Sequence, residues 1–247
     1  MNYIIYDLEF NQKNNEYIEN ENNQFSSIPF EIIQIGAVKL NENFETISTF
    51  DALIKPTIYK TIHPLVENLT KITDEQVSSC KNFIAVYKDF LNFIGDDETI
   101  LCVWGTVDIK ELMRNVKFYS LSTSPIFKYI DLQAYASKYL KTENKFKIGL
   151  KTAIELLNIA IEGDFHNAFY DAYYTAEIFK IIHNHNMKPI IYTSSSDKRK
   201  SAQHKQKINT ISLIKQFEKM YNREMSDEEK SIIKLAYIMG KTGQFKQ

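Results

Sequence analysis

Cysteine is almost missing from these 247 residues, with only Cys80 and Cys102 present. Two isolated thiols build neither a disulfide framework nor a cysteine-ligated zinc site, and they point to the cytoplasm as the expected compartment. Long apolar runs are missing too. No stretch approaches the roughly 18 apolar residues that a membrane-spanning helix needs, so no membrane partner is expected. The N-terminus has no basic segment and carries acids inside its one early apolar stretch, which argues against a secretory signal. No internal repeat is found, and Trp104 is the single tryptophan. What is present is an ordinary globular mixture on a chain long enough for one domain and an appendage.

Net charge is nearly absent at −1, yet it hides a division. Residues 188–247 carry 13 Lys/Arg against 6 Asp/Glu, a balance of +7. The other 187 residues carry 17 against 25, a balance of −8. A basic end on an acidic body suggests a polyanionic partner. Ordinary solvated lysine-rich helices would give the same count.

Hydrophobic patterning organises the chain. "NYIIYDLEFNQ" reads as a buried strand, and an Asn- and Glu-rich loop follows it. "FEIIQIGAVKL" and "ISTFDALIKP" are β-rich and separated by a turn at Asn41–Asn43, so the first three strands form an antiparallel meander. "TDEQVSSCKNFIAVYKDFLNFIG" reads as one helix, capped at Thr73 or Asp74 and stopped at Gly95. "TILCVWG" is a buried strand leading into a helix from Asp108 to about Val116. "FKYIDLQAYASKYL" begins as a strand and turns helical, and "IGLKTAIELLNI" and "HNAFYDAYYTAEIFKIIHNH" are further helices. The order βββαβαβαα predicts an α/β domain with one mixed sheet flanked by helices. The expected divisions are a body over 1–187, a basic linker over 188–207, and a helical extension over 208–247. In that extension Ser226 and Glu229 form a capping box.

The first strand raises the chemical question. Alternation puts Asp7 and Glu9 on one strand face, where two carboxylates repel each other and resist desolvation. Asp108 follows the strand "LCVWG" at a helix start, and Asp171 lies five residues after His166 in the last helix of the body. A sheet that places the first strand beside the fourth brings Asp7, Glu9 and Asp108 to one edge. The last helix can then deliver Asp171 and His166. Four converging carboxylates make sense with cations between them, and hard oxygen ligands favour Mg2+ or Mn2+. Two such ions about 3.5–4 Å apart serve in-line displacement at a phosphodiester. A histidine titrating near neutrality suits removal of a proton from the attacking water. Singly, each residue has a plainer reading: a strand-end acid, a helix N-cap, a surface histidine.

Taken together, these stretches resemble a known family. "YDLEF", "VWGTVDIKEL" and "HNAFYDAYYTAEIF" are similar to the three motifs of the DEDDh 3′–5′ exonucleases, and "HNAFYDAYYTA" matches the third motif in full. "FEIIQIGAVKL", "HPLVENLTKITDEQV" and "IGLKTAIELLNI" also resemble family segments, so the likeness covers about residues 1–187. The branch it resembles most is the Eri-type RNA exonucleases, with the bacterial KapD-like group as near kin. The resemblance implies an RNase H-like fold with five strands. It also implies Asp7, Glu9, Asp108 and Asp171 as ligands of two Mg2+ or Mn2+ ions, with His166 as general base. Tyrosine-based relatives carry their base four residues before the last Asp, and here that position is Asn167. Where the family has glycine in "LTGIT", this chain has Lys71.

The expected substrate is the 3′ end of single-stranded RNA or DNA, with RNA favoured. Such an end calls for stacking near the metals. The resemblance offers Phe10, Leu69, Thr70 and Lys71 as contacts. Trp104 stands either against a base or in the packing of its turn. Lys198, Arg199, Lys200, Lys205 and Lys207 are candidates for a nucleic-acid tether, while the terminal helices could equally dock or dimerise through their apolar faces. The competing functions are a DNA proofreading or repair exonuclease and a non-catalytic binding module. A binding relic would be expected to have lost one of the acids or the histidine, and all five are present.

Overall fold

A computed structural model describes residues 1–13, 28–95, 98–126, 128–142, 147–184, 186–193 and 210–242. The chain falls into two compact units, Met1–Asp197 and Lys198–Gln247.

The first unit is built on a sheet. β1 (Asn2–Gln12), β2 (Phe30–Leu40) and β3 (Thr46–Leu53) pair antiparallel in chain order. Three helices follow: α1 (Pro64–Thr70), α2 (Asp74–Ser78) and α3 (Phe83–Ile94). Next come β4 (Thr99–Val103), α4 (Val107–Phe118) and β5 (Lys128–Asp131). α5 (Leu132–Tyr139), α6 (Leu150–Leu156), α7 (Ala168–Ile182) and a short β6 (Ile190–Ile191) complete the unit. The sheet order is β3-β2-β1-β4-β5-β6, with β4 parallel to both β1 and β5. This is the mixed α/β architecture expected, with the first strand beside the fourth. The sixth strand is an addition to the five expected. It pairs antiparallel with β5 from within the stretch read as linker.

The helix expected from Thr73 to Gly95 is two helices. Thr73 closes a capping box with Gln76 to start α2, and the Asn82 side chain accepts from the Ala85 amide to start α3. The intervening "SSCKN" supplies a second N-cap that competes with continued helix. α1 is an element the hydrophobic pattern did not reveal, since only Thr70 of its seven residues is buried. It begins with the His63 imidazole accepting from the Leu65 amide and Pro64 in its first turn.

Alternation along β1 divides the core. Ile4, Tyr6 and Leu8 join Phe83, Tyr87 and Phe90 of α3 and Ile109, Leu112 and Val116 of α4 on one face. Tyr3 and Ile5 join Ala176 and Phe179 of α7 on the other. Full burial of one such side chain contributes about 1.5–3 kcal/mol, so both faces fix the register of β1.

The second unit contains α8 (Thr210–Tyr221) and α9 (Asp227–Thr242). The expected capping box at Ser226 is formed, and Arg223 makes a bidentate ion pair with Glu229. Among the described residues no helix is long and apolar enough to cross a membrane.

Candidate active site

β1 outruns its neighbour. It pairs with β4 only from Asn2 to Ile5, because β4 ends at Val103 and the chain turns into α4. Asp7 and Glu9 therefore lie past the end of β4. Asp108 enters in the first turn of α4, and Asp171 in the first turn of α7. Glu9, Asp108 and Asp171 are each less than one-tenth exposed, and Asp7 is half-buried. No lysine or arginine among the described residues is paired with any of the four.

Their titration reflects this crowding. Burial, then the charges of Asp108, Asp171 and Glu9, hold the Asp7 carboxyl well above the usual carboxylate range. Burial followed by Asp171 and Asp108 pushes Glu9 up to about 8. Asp108 rises to about 7 and Asp171 to about 6, burial again being the first cause. Like charges in a low dielectric raise one another's pKa, which places all four within electrostatic reach.

The geometry offers a cation seat. Glu9, His166 and Asp171 present ligand atoms within 4.8 Å of one another. Asp171 accepts the His166 amide at 3.1 Å through Oδ2, while its buried Oδ1 has no hydrogen-bond partner. A buried, unpartnered carboxylate oxygen amid other carboxylates fits a divalent cation. Asp7 and Asp108 complete the electrostatic cluster from outside that tight group.

Two residues that the sequence did not single out seat the start of α7 on β2, beside the β1 acids. Gly36 pairs with Asp7 across β1 and β2, and a Cβ built there would sit 2.1 Å from the Ala168 carbonyl carbon. Only glycine allows the start of α7 to lie this close to the sheet. Gln34, opposite Glu9, is buried; its Oε1 accepts the Ala168 amide at 3.1 Å, and its Nε2 donates to Asp51 Oδ1 at 2.9 Å. A glycine interrupting a strand pattern is the signal that could have found the first. The second left none.

The expected substrate contacts are more scattered. Phe10 is half-buried against the α3–α4 side of the core, with its ring 6.1 Å from that of Phe30. Leu69 is 52% exposed at the end of α1. Thr70 is buried, and its hydroxyl donates to Val66 O and accepts the Ile72 amide. Lys71 is the C-cap of α1 at φ +61°, a conformation that favours glycine, and its Nζ donates to Asn68 O at 2.6 Å. Buried Asn11 holds the approach to α1, donating to Thr61 O and accepting the His63 amide, both at 2.9 Å. Trp104 is partly buried against the two core clusters that α7 contributes to, and its buried Nε1 has no hydrogen-bond partner. Lys198, Arg199, Lys200, Lys205 and Lys207 lie outside the described residues.

A strand-borne acid pair, a helix-start acid, and Asp171 in the first turn of α7 with His166 on the loop before it form one cluster on the RNase H-like sheet of an exonuclease. The chain belongs to the RNase_T family, described as exonuclease, whose model matches residues 4–179. The chain is 24% identical over 179 residues to the probable 3′–5′ exonuclease KapD of Bacillus subtilis (strain 168), covering 72% of this chain and 83% of that one. The nuclease domain of 3′hExo, a DEDDh family member bound to rAMP, superposes with a TM-score of 0.64 at 22% identity, covering 78% of this chain and 96% of that domain. E. coli exonuclease I in complex with a dA16 oligonucleotide superposes at 0.55 and 16% identity, covering 73% of this chain and 40% of that one. At these identities the two structures speak for the fold.

Proposed function

We propose that this exonuclease removes nucleotides from the 3′ end of single-stranded nucleic acid, RNA in preference to DNA, using two divalent cations. The observation that carries this reading is four carboxylates close enough to raise one another's pKa, with no lysine or arginine among the described residues paired with them. Asp7, Glu9, Asp108 and Asp171 would hold Mg2+ or Mn2+, which when bound supplies charge neutralisation and Lewis acidity at the phosphodiester. His166 takes the proton of the attacking water at its imidazole. The Asp171 carboxylate fixes the His166 backbone through the amide it accepts. Leu69 and Phe10 flank the base of the terminal nucleotide, with Thr70 and Lys71 beside them. The preference for RNA is supported by relatives such as the 3′-exonuclease whose structure shows 3′-end recognition of a histone mRNA stem-loop. The complex of exonuclease I with dA16 favours a second reading, in which DNA is the substrate.

The basic terminal segment, through Lys198, Arg199, Lys200, Lys205 and Lys207, adds phosphate affinity. A cytoplasmic setting, suited to the free thiols of Cys80 and Cys102, belongs to the same proposal. The test is degradation of 3′- and 5′-labelled RNA and DNA oligonucleotides with Mg2+, Mn2+ or EDTA. Shortening from the 3′ end that requires a divalent cation, faster on RNA, is the expected result. Turnover in EDTA would overturn the two-cation reading, and faster loss of DNA would overturn the RNA preference.

A further inference from the structure

His166 stands on a short loop whose backbone is itself in an unfavourable place, at φ +63°. A non-glycine residue in the left-handed region persists only where its surroundings over-determine it. Those surroundings are concentrated in one side chain. Tyr174 is fully buried on α7, and its hydroxyl is fully used. It accepts the Glu162 amide at 3.1 Å and the Gly163 amide at 2.7 Å, and it donates to the Gly163 carbonyl at 2.6 Å. One phenol thus satisfies three backbone groups at the start of the His166 loop.

The rings complete the attachment. Phe165 packs on Tyr174 at 5.5 Å between centroids, and Tyr170 stacks on it at 6.4 Å. The Tyr170 ring lies so close beneath Gly163 that a Cβ there would meet it at 2.4 Å. At the far end of the loop the His166 amide reaches Asp171 Oδ2. Residues 162–166 are therefore wound onto the first two turns of the same helix that supplies Asp171.

We propose that Tyr174 is a positioning residue for the reaction, acting through His166 by holding the 162–166 loop on α7. This rests on the reading of His166 as the general base. Tyr174 touches neither substrate nor cation. Its hydroxyl sets where the imidazole stands relative to the four acids, and small displacements of a proton acceptor have large effects on rate.

The test is a double-mutant cycle on the full chain, with turnover of a saturating labelled oligonucleotide as the readout. Tyr174→Phe keeps the ring and removes the three hydrogen bonds. It is expected to lower kcat about tenfold with KM within about twofold, and to speed amide exchange at residues 162–166 while α7 stays protected. In a His166→Ala background the same substitution should change kcat by less than about twofold, because its target is already gone. Equal losses in both backgrounds would show a merely structural role and overturn the proposal, as would an unchanged kcat for Tyr174→Phe. A normal kcat for His166→Ala alone would instead overturn the general-base reading, and this inference with it. Should Tyr174→Phe not fold, Gly163→Ala perturbs the same attachment from the loop side and must show the same dependence on His166.

Discussion

Two buried glutamates, one at the end of β1 and one at the start of β2, show what separates a structural acid from a functional one. Glu31 is 1% exposed and Glu9 is 8% exposed. The Glu31 carboxylate accepts backbone amides from Thr57, Ile58 and Tyr59 at 2.6, 2.9 and 2.9 Å. Burial raises its pKa, and those three hydrogen bonds oppose the rise. Burial raises that of Glu9 also, but there the next influences are Asp171 and Asp108, and both push the same way. Glu31 is a fold element that pins the chain after β3. Glu9 and its neighbours leave a charge imbalance that the described residues do not answer, and a buried charge without a partner is among the least favourable features a fold can hold.

The sharpest way to break this contrast is Asp7→Asn. It removes one charge from the crowd and one of the proposed ligands. Turnover should fall at least about a thousandfold, since the proposed site loses electrostatic stabilisation of the transition state. The cation-free protein should melt no lower than wild type, and higher if relief of repulsion dominates. An active Asp7→Asn enzyme would sink the assignment of the β1 pair.

Next in size is the pH dependence of stability without divalent cations. Each raised carboxyl binds its proton more tightly in the folded than in the unfolded state, so folding takes up protons and stability falls as pH rises. The window runs from 4.5 to about 8 for Glu9, and from 3.8 to about 7 for Asp108 and about 6 for Asp171. Thermal melts in EDTA should therefore drop steadily from about pH 4.5 to about pH 8. Saturating Mg2+ or Mn2+ should flatten that decline, because the cation competes with the same protons and stabilises the state it binds. Parallel curves with and without the cation would separate the crowded acids from metal binding.

Glu31→Gln tests the other half of the comparison. The amide replaces one acceptor with a donor facing backbone N–H groups, and stability should fall by about 1–3 kcal/mol. Activity per folded molecule, measured well below the melting temperature, should stay within about twofold. A large loss of turnover with little loss of stability would move Glu31 into the proposed catalytic group.

The two glutamates also mark how much could be read from the chain alone. Strand alternation put Asp7 and Glu9 on one face, the sheet order sets β1 beside β4 as read, and Asp108 and Asp171 act electrostatically on Asp7. These signals are local, repeated and periodic. Gln34 and Glu31 left no such trace, because their partners are backbone amides more than 25 residues away, Ala168 for one and Thr57 to Tyr59 for the other. The division into α2 and α3 was hidden for a different reason. "SSCKN" tolerates helix, and the Asn82 cap wins only when α3 packs its apolar face on β2 and β3. α1 stayed unread because a helix with one buried residue has almost no hydrophobic pattern.

The smallest effect is expected from the contrast in charge between the acidic body and the basic end. The structure fixes where the cut belongs. Removal from residue 188 onward would take β6 and Tyr192, which is 8% exposed within the α3–α4 side of the core. Ending the chain at Asp197 keeps both and removes the second compact unit. If that unit neutralises phosphates, KM for a single-stranded oligonucleotide should rise a few-fold while kcat holds. The slope of log K against log salt should also flatten by about 0.7 for each phosphate no longer neutralised. An unchanged KM and slope would leave the body binding its substrate alone, with α8 and α9 assigned to docking or self-association through their apolar residues. Sedimentation of the same truncated protein would then read that second role directly, as a loss of dimer without a loss of turnover.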